Sequence, residues 1–323
     1  MQEKENHFIK NIEIKNFKCF EDFKAEGFGR VNLIAGKNNV GKTAFMEAVY
    51  VNVHSQDVNS IFSVLYSIKF VREQLNILFN DTTNDKMKFF ENTNNYFSDS
   101  NIRKVSFEVS KIDGKKSYIF EWGDEKREIN ARDFSYDFNY LPNIDFIDNF
   151  GFADMHIIEA YSSIQRKDEE FYLNNLLKKF DTRIDAFKII DEKPQCKVNG
   201  EYLEIIEFGD GIRHLLSIVT SLYKCENGYL FIDEMDNGIH YTMLDELWKI
   251  ILEVSKKLNV QVFATTHSKE CIESYARVAE ELEDKEITFF KLGKNQEGEL
   301  KGMVYPYDWF IDSVEQEQEM RGW

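Results

Sequence analysis

The sequence has few cysteines and no long apolar run, and each shortage excludes a class of protein. Its four cysteines are widely scattered and show no C-x-x-C spacing, which argues against a disulfide framework and against a zinc site. They are Cys19, Cys196, Cys225 and Cys271. No stretch of about 18 apolar residues occurs, and the polar N-terminus lacks the apolar run of a signal peptide. We therefore expect a cytoplasmic protein that does not interact with a membrane.

Basic side chains are also in short supply. The chain has 57 Asp and Glu against 40 Lys and Arg, a formal net charge of −17. This balance disfavours a protein that coats nucleic acid through bulk electrostatics, although it leaves room for a local basic groove. With 323 residues, 43% of them apolar, the chain can form one large α/β domain or a core with an inserted subdomain. Its 28 Phe, 15 Tyr and 4 Trp argue against general disorder.

The segment from Val31 to Tyr50 carries the strongest chemical signal. An apolar run of strand length is followed by G-K-N-N-V-G-K-T and then by apolar residues at helical spacing. This order of strand, glycine-rich loop and helix is that of a P-loop, whose backbone N–H groups surround a polyphosphate. The predicted nucleotide-binding residues of this loop are Gly36, Lys37, Asn38, Asn39, Val40, Gly41, Lys42, Thr43 and Ala44.

The residue types of the loop suit that chemistry. Gly36 and Gly41 allow a tight backbone turn. Lys42 brings a positive charge to the β- and γ-phosphates, and the Thr43 hydroxyl is a ligand for Mg²⁺. The competing interpretation, a glycine- and asparagine-rich turn with a chance lysine, does not explain the flanking strand and helix. We therefore predict that the chain binds a nucleoside triphosphate with Mg²⁺.

A second apolar strand, Tyr229 to Ile232, ends in two carboxylates. Asp233 is placed to hold Mg²⁺ opposite Thr43. Glu234 points the other way along the pleat and can polarise a water for in-line attack on the γ-phosphate. An acidic strand-to-loop junction without function is the alternative, and the P-loop in the same chain argues against it.

A third polar site follows the apolar run Val260 to Ala264. Here His267 stands among hydroxyl side chains, including Thr265 and Thr266, at a strand end where ligands bind in open α/β sheets. We predict that His267 hydrogen-bonds the γ-phosphate and senses its loss. A structural histidine is the alternative.

The segment Glu207 to Leu216 reads E-F-G-D-G-I-R-H-L-L, in which two glycines flanking one acidic residue precede an apolar helical pattern. Such a turn can offer backbone N–H groups to a phosphate through Gly209, Asp210 and Gly211. From spacing alone, a simple turn with a helix N-terminal signal is the favoured interpretation.

Strand and helix patterns alternate in the last third, which predicts an α/β fold with a mostly parallel sheet and helices on both faces. Antiparallel N-terminal strands precede it. Two alternating runs flanking Asp113-Gly114 predict a hairpin, and the Asn- and Asp-rich segment 80–101 is predicted to be a loop. We expect a split core of residues 1–52 and 205–323, with an inserted α+β or lid subdomain at 53–204.

In order and spacing, these motifs resemble those of ABC-type ATPases of the SMC/RecF/OLD superfamily. I-K-N-F-K-C-F, Ile14 to Phe20, resembles the opening strand, G-K-N-N-V-G-K-T the Walker A motif, L-F-I-D-E-M-D-N-G-I-H the Walker B motif with its D-loop, and A-T-T-H-S the H-loop. The nearest resemblance is to OLD-like AAA ATPases, in which E-F-G-D-G-I-R-H-L-L takes the place of the ABC signature. Their short tail ends in E-x-R-G, here Glu319 to Gly322. The resemblance covers both ends of the chain but not the middle.

The resemblance implies ATP rather than GTP, and a head-to-tail dimer or higher even-numbered oligomer that buries ATP between subunits. The residues that would act in cis are Lys42, Thr43, Asp233, Glu234 and His267. Those that would act in trans are Gly209, Asp210 and Gly211. The chain departs from the better-known pattern because it has no L-S-G-G-Q, and Asp210 stands where a serine would contact the γ-phosphate. Lys18 is a further candidate phosphate contact, and Gln165 a candidate for the Q-loop.

Full-length OLD proteins carry a C-terminal TOPRIM nuclease domain, which binds metal through a glutamate and a D-x-D. Only 56 residues follow His267, and no D-x-D follows a strand there. We therefore expect an ATPase-only chain that switches a separate effector, a nuclease or toxin, in bacterial anti-phage defence.

Other functions are left open by the sequence. The main alternative is a RecF-like DNA-binding ATPase of repair or recombination. A scaffold that binds nucleotide without hydrolysing it is a third hypothesis, against which the intact Glu234 argues. A transporter ATPase is disfavoured because its signature and opening strand differ.

Overall fold

The computed structural model describes residues 7–54, 64, 96–100, 103–112, 115–122, 125–130, 141–148, 154–316 and 320. In chain order the strands are β1 (Asn11–Phe17), β2 (Phe20–Glu26), β3 (Val31–Ala35), β4 (Tyr96–Ser100), β5 (Arg103–Ile112), β6 (Lys115–Trp122), β7 (Glu125–Asn130), β8 (Ile144–Ile147), β9 (Ala186–Ile190), β10 (Lys193–Val198), β11 (Glu201–Glu204), β12 (Tyr229–Ile232), β13 (Gln261–Thr266), β14 (Ile287–Lys294) and β15 (Leu300–Pro306). The α-helices are α1 (Lys42–Val53), α2 (Asp154–Gln165), α3 (Glu170–Phe180), α4 (Asp210–Lys224), α5 (Leu244–Leu258), α6 (Lys269–Glu281) and α7 (Tyr307–Glu315). Short 3₁₀ turns occupy Ile205–Phe208 and Tyr241–Met243.

The core sheet has the strand order β15-β14-β3-β13-β12-β8. All neighbouring pairs are parallel except β14 with β15. Parallel strands end at one common edge, so the residues that follow β3, β12 and β13 lie together at that edge. The mostly parallel α/β core predicted from the sequence is therefore confirmed.

Apolar side chains cover both faces of this sheet because successive residues of a strand point to opposite sides. In β3, Val31, Leu33 and Ala35 belong to one buried cluster and Ile34 to the other. The first cluster includes the apolar faces of α4 to α7, and the second includes α1. None of the helices that the structure describes combines the length and the apolar character needed to cross a bilayer.

Helix α1, which follows the P-loop, is buried all round. Every residue from Phe45 to Val53 is buried, including the polar Glu47 and Asn52. A helix without an exposed face must lie between two layers, and α1 contacts β1 and β4 on one side and β13 on the other. The Phe45 ring packs against four more phenylalanine rings at centroid distances between 4.9 and 6.4 Å. This packing fixes the helix whose first residues, Lys42 and Thr43, are predicted to bind phosphate and Mg²⁺.

The second sheet is antiparallel, with the order β2-β1-β4-β5-β6-β7. The hairpin expected around Asp113-Gly114 is present as β5 and β6, which pair as far as Ile112 with Lys115; the two turn residues lie outside the described residues. Strand β4 falls inside the segment predicted as loop, and that prediction is wrong at 96–100. Its pairing with β1 and β5 makes it a strand despite its polar composition.

The segment 53–204, expected to be an insertion, also supplies a core strand. β8 pairs in register with β12, from Ile144 with Tyr229 to Ile147 with Ile232. This strand was not predicted because its four residues lie in an acidic, aromatic stretch without periodicity. Between α3 and α4 the chain forms a sheet of three antiparallel strands, β11-β10-β9.

Candidate nucleotide-binding and hydrolysis site

The two P-loop glycines stand where a side chain would not fit. A Cβ on Gly36 would lie 2.4 Å from the carbonyl oxygen of Leu292 in the neighbouring strand β14. Gly41 has a φ of 109°, and a Cβ there would lie 2.8 Å from the Cys19 Sγ. Between them, residues 37–39 are exposed at the carboxyl edge of the sheet. The loop therefore has the tight form that the sequence predicted, with its outer surface open to a ligand.

Lys42 folds back over the loop. Its Nζ donates to the carbonyl oxygens of Gly36, at 2.9 Å, and Lys37, at 3.2 Å. Burial lowers the pKa of Lys42, while the charges of Asp233, Glu234 and Asp236 raise it. The ammonium group therefore lies in the centre of the loop and within electrostatic range of the acidic end of β12.

Asp233 joins the P-loop helix to the H-loop strand. The Thr43 Oγ1 donates to the Asp233 Oδ1 at 3.2 Å, and the Thr265 Oγ1 donates to the same oxygen at 2.6 Å. The structure thus brings together Thr43 and Asp233, the two residues that the sequence predicted as Mg²⁺ ligands. A hydroxyl and a carboxylate suit Mg²⁺, which takes its other ligands from phosphates and water in nucleotide sites. The described residues contain no group of three or more His, Cys, Asp and Glu side chains that could hold a metal ion without a nucleotide.

Glu234 has an unusual backbone conformation for a glutamate. Its φ is 53°, in the left-handed region that few residues other than glycine adopt. The Glu234 N–H donates to the Thr265 Oγ1 at 2.8 Å, and the Met235 N–H donates to the Thr265 carbonyl oxygen at 3.0 Å. Strained residues of this kind cluster at functional sites, where neighbouring contacts hold them in place. Here Thr265 supplies these contacts.

His267 follows β13 directly and is exposed, unlike a buried structural histidine. The preceding Thr266 hydroxyl donates to the Asp236 Oδ1 at 2.6 Å and accepts from the Ser268 N–H at 3.0 Å. The polar cluster expected around His267 is therefore a hydrogen-bonded corner that ties β13 to the loop after β12. It leaves the imidazole free to face a ligand.

The start of α4 lies on that same loop. Gly211 has no room for a side chain, since a Cβ would lie 2.4 Å from the Gly238 carbonyl oxygen. Gly209 has a φ of 81°, and a Cβ there would have no heavy atom within 4 Å. Gly209 and Asp210 are exposed. The segment is thus fixed on one side and open on the other, with the helix N-terminus accessible to an anion.

Lys18 occupies the turn between β1 and β2, with a φ of 53°. Its ammonium forms an ion pair with the buried carboxylate of Glu47 in α1. The next residue, Cys19, packs on Gly41, so this turn borders the P-loop. Contact of Lys18 with a phosphate stays a prediction. Gln165 is exposed at the end of α2, a helix that packs on α4. Of the E-x-R-G tail only the buried Met320 lies within the described residues.

The contribution of Thr265 was not predicted from the sequence. It was noted only as one of several hydroxyl residues, yet it contacts both Asp233 and the backbone of Glu234. A threonine two positions before the histidine of A-T-T-H-S was the available signal. It becomes informative only when β13 and β12 are known to be neighbours.

Comparison with known proteins agrees with this geometry. Residues 153–272 match the family model described as AAA ATPase domain, a stretch that contains the Walker B carboxylates and His267 but not the P-loop. The chain is 25% identical over 329 residues to the ATP/GTP phosphatase of Helicobacter pylori, and this match covers 84% of the chain and 89% of that protein. A shorter match, 46% identical over 44 residues, is to the DNA replication and repair protein RecF of Bacillus cytotoxicus; it covers 14% of this chain and 12% of that protein.

Among solved structures, the fold is similar to an Smc head bound to the C-winged helix domain of ScpA. The TM-score is 0.53 at 12% identity, covering 93% of this chain and 99% of that one. Residues 153–272 are therefore similar to an AAA ATPase domain, and the chain has the fold of an SMC head. The predictions of an ATPase and of an α/β P-loop core are confirmed.

Proposed function

We propose that this ATPase is a Mg-ATP-dependent switch in which two copies close around ATP and hydrolysis reopens them. The division of the candidate site supports this proposal. Thr43, Asp233 and Glu234 are connected by hydrogen bonds within one chain, whereas the segment 209–211 is open to solvent at the start of α4. A second copy packed head to tail would bring its segment against ATP on the first copy's P-loop.

ATP binding would use groups that are already in position. The exposed residues 37–39 and the N-terminus of α1 would face the phosphates. Lys42 exchanges its hydrogen bonds to the carbonyls of Gly36 and Lys37 for phosphate oxygens. Thr43 and Asp233 would hold Mg²⁺, which when bound neutralises charge on the β- and γ-phosphates.

In the hydrolysis step, Glu234 acts as the general base. It accepts a proton from a water molecule whose oxygen attacks the γ-phosphorus, while the bond from that phosphorus to the bridging oxygen of ADP breaks. His267 donates a hydrogen bond to the γ-phosphate. Once the γ-phosphate leaves, His267 and the partner's segment 209–211 lose a shared ligand, and the dimer opens.

The output of the switch is a separate effector protein, a nuclease or toxin, used against phage. The support for this part is the resemblance of E-F-G-D-G-I-R-H-L-L and of the tail to OLD-like ATPases. In such a system the closed and open dimers present different surfaces, so an effector that binds one of them is controlled by ATP.

A RecF-like role in DNA repair is the second candidate, and the 44-residue match to RecF favours it. It predicts an ATPase that DNA stimulates and an affinity for DNA that falls steeply with salt. The net charge of −17 argues against it.

Native mass spectrometry of Glu234→Gln, purified from its own host in Mg-ATP, tests the switch. The substitution removes the base and leaves the binding groups, so the closed state should accumulate. We expect an even number of chains together with a second protein. Homodimers with nucleic acid and no second protein would favour the repair role, and a bare monomer would rule out a shared interface. Glu226→Gln, at an exposed glutamate that pairs with Lys167, is the matched control.

A further inference from the structure

His214 lies on the buried face of α4, one helical turn after Gly211. Its side chain is 7% exposed, and its Nε2 lies 3.1 Å from the Met235 carbonyl oxygen. A carbonyl oxygen only accepts hydrogen bonds, so Nε2 carries a proton and is the donor. Burial lowers the pKa of His214, although the hydrogen bond to Met235 and the charge of Asp236 raise it, so the ring is uncharged at neutral pH. Helix α4 therefore holds the loop after β12 by a directed hydrogen bond as well as by the packing of Gly211 on Gly238.

The residue that accepts this hydrogen bond is next to the proposed general base. Met235 follows Glu234 directly and is fully buried. Its N–H donates to the Thr265 carbonyl oxygen in β13 at 3.0 Å, while its own carbonyl oxygen accepts from His214 in α4. Met235 is thus held between two elements of the core. Glu234, which is only partly buried, extends from this fixed point.

Glu234 needs support from both sides because its φ of 53° is unfavourable for a residue with a side chain. Such a conformation persists only where the surrounding contacts over-determine it. Thr265 of β13 holds the peptide groups before and after Glu234, and His214 holds the next peptide group along the chain. Without the His214 hydrogen bond, the backbone after Glu234 can rotate on the side of α4. The direction of the Glu234 carboxylate would then depend on β13 alone.

We infer that His214 is a positioning residue for hydrolysis, which fixes the peptide group after Met235 so that the Glu234 carboxylate is directed at the attacking water. The inference rests on the role of Glu234 as general base proposed above. His214 takes no part in phosphate binding or in proton transfer. Its loss should therefore lower kcat and leave the affinity for ATP unchanged.

Two substitutions at His214 separate the hydrogen bond from the packing. His214→Leu fills a similar volume without a donor, whereas His214→Gln places an amide N–H close to the position of Nε2. We expect the kcat of His214→Leu to fall about tenfold, the effect of a buried carbonyl left without its donor, while calorimetry shows unchanged ATP binding. His214→Gln should retain about half of the wild-type kcat or more. Equal losses of kcat in the two variants, or a parallel loss of ATP affinity, would overturn the inference.

The matched control lies on the same helix. The buried Thr220 hydroxyl donates to the Leu216 carbonyl oxygen within α4, so Thr220→Val removes a buried polar group without touching the loop after β12. Its kcat should equal that of the wild type, and a loss as large as in His214→Leu would overturn the inference. If urea unfolding shows that His214→Leu does not fold, His214→Asn takes its place with the same expected results, because the shorter amide does not reach the Met235 carbonyl oxygen.

The Glu234→Gln background shows whether His214 acts through Glu234. With the base already removed, adding His214→Leu should change the slow residual rate of ATP hydrolysis by less than about twofold, because the two substitutions affect one function. A further loss of about tenfold would show that His214 supports another part of the molecule and would overturn the inference alone. A wild-type rate in Glu234→Gln by itself would overturn the proposed base, and the inference with it.

Discussion

Two parts of the candidate site differ in how far one chain fixes them. The cis half consists of the residues that would act on the nucleotide of their own chain. In it the Asp233 Oδ1 accepts hydrogen bonds from both Thr43 and Thr265, and Thr265 also accepts one from the Glu234 N–H. The trans half is the segment 209–211, which would act on the partner's nucleotide, and in it Gly209 has a positive φ with open space around it. One half is preorganised by hydrogen bonds, whereas the other is exposed and, in the proposed dimer, would face the partner's nucleotide.

The two halves are nevertheless connected through one loop. Asp236 accepts a hydrogen bond from Thr266, beside His267, and Gly238 packs against Gly211. Residues 236–238 thus contact both the strand end that would sense the γ-phosphate and the segment that would face the partner's nucleotide. In the proposed dimer, each nucleotide site would act on the other through the loop after β12.

The largest loss of ATPase activity is expected from a substitution in the cis half. Lys42→Ala removes the ammonium that would neutralise the β- and γ-phosphates, and we expect ATPase activity to fall about 10³-fold with loss of ATP binding. Phosphate release and calorimetry measure the two effects. Lys24→Ala, which removes an exposed lysine of β2, is the matched control and should leave both unchanged. Wild-type ATP affinity in Lys42→Ala would show that the loop does not bind phosphate.

A substitution in the trans half should lower ATPase activity by a smaller factor. An alanine at position 211 would place its Cβ 2.4 Å from the Gly238 carbonyl oxygen, so the segment 209–211 must move. A displacement of about 1 Å can cost about 10²-fold in rate, and we expect that loss with ATP binding by the single chain preserved. Gly298→Ala, at an exposed turn where a Cβ has open space, is the control for a glycine-to-alanine change without a steric clash.

Mixing the two inactive variants makes the comparison sharper. In a symmetric head-to-tail dimer, a heterodimer of Lys42→Ala and Gly211→Ala has one composite site with an intact P-loop and an intact segment 209–211. An equal mixture should then recover roughly a quarter of wild-type activity. No recovery, despite mixed dimers in native mass spectra, would place residue 211 in cis.

Removing the Thr265 hydroxyl, which connects Asp233 to Glu234 in the cis half, should lower ATPase activity by a smaller factor. Thr265→Val keeps the shape of the side chain and deletes the hydroxyl, which frees the Asp233 Oδ1 from one donor and leaves the Glu234 N–H without its acceptor. We expect kcat to fall about tenfold or more and half-maximal activity to need more Mg²⁺, as when groups that orient metal ligands are lost. Thr265→Ser should restore both. Equal losses in the valine and serine variants would indicate a packing role instead.

The sequence predicted those parts of the site that local spacing encodes. The P-loop, the carboxylates after β12 and the histidine after β13 each consist of a strand and the residues directly after it. Thr265 was missed because its role depends on β13 lying beside β12.

The same reasoning explains the errors in the fold. β4 is polar and β8 is only four residues long, so neither has a pattern that stands out from a loop. Each is a strand because a neighbour supplies hydrogen bonds: β1 and β5 for β4, and β12 for β8. Motifs that bind phosphate are encoded locally, whereas sheet membership is decided by tertiary pairing.

The smallest effect is expected from His54, through the pH dependence of the free energy of unfolding. It distinguishes a loss of stability at α1 from a change in the chemistry at the first residues of that helix. His54, at the C-terminal end of α1, is fully buried, and burial lowers its pKa to about 4. In the unfolded chain its pKa is about 6.5, so the unfolded chain takes up the proton first as the pH falls. His54 therefore leaves the free energy of unfolding at its full value above pH 6.5 and lowers it progressively between pH 6.5 and pH 4. At pH 6 this costs about 1 kcal/mol in the free energy of unfolding. Urea unfolding of His54→Phe should lack this part of the pH dependence, while His156→Gln, at an exposed histidine, should retain it. If ATPase activity falls below pH 6.5 equally in wild type and His54→Phe, the loss arises at the site and not from unfolding of the helix that carries Lys42.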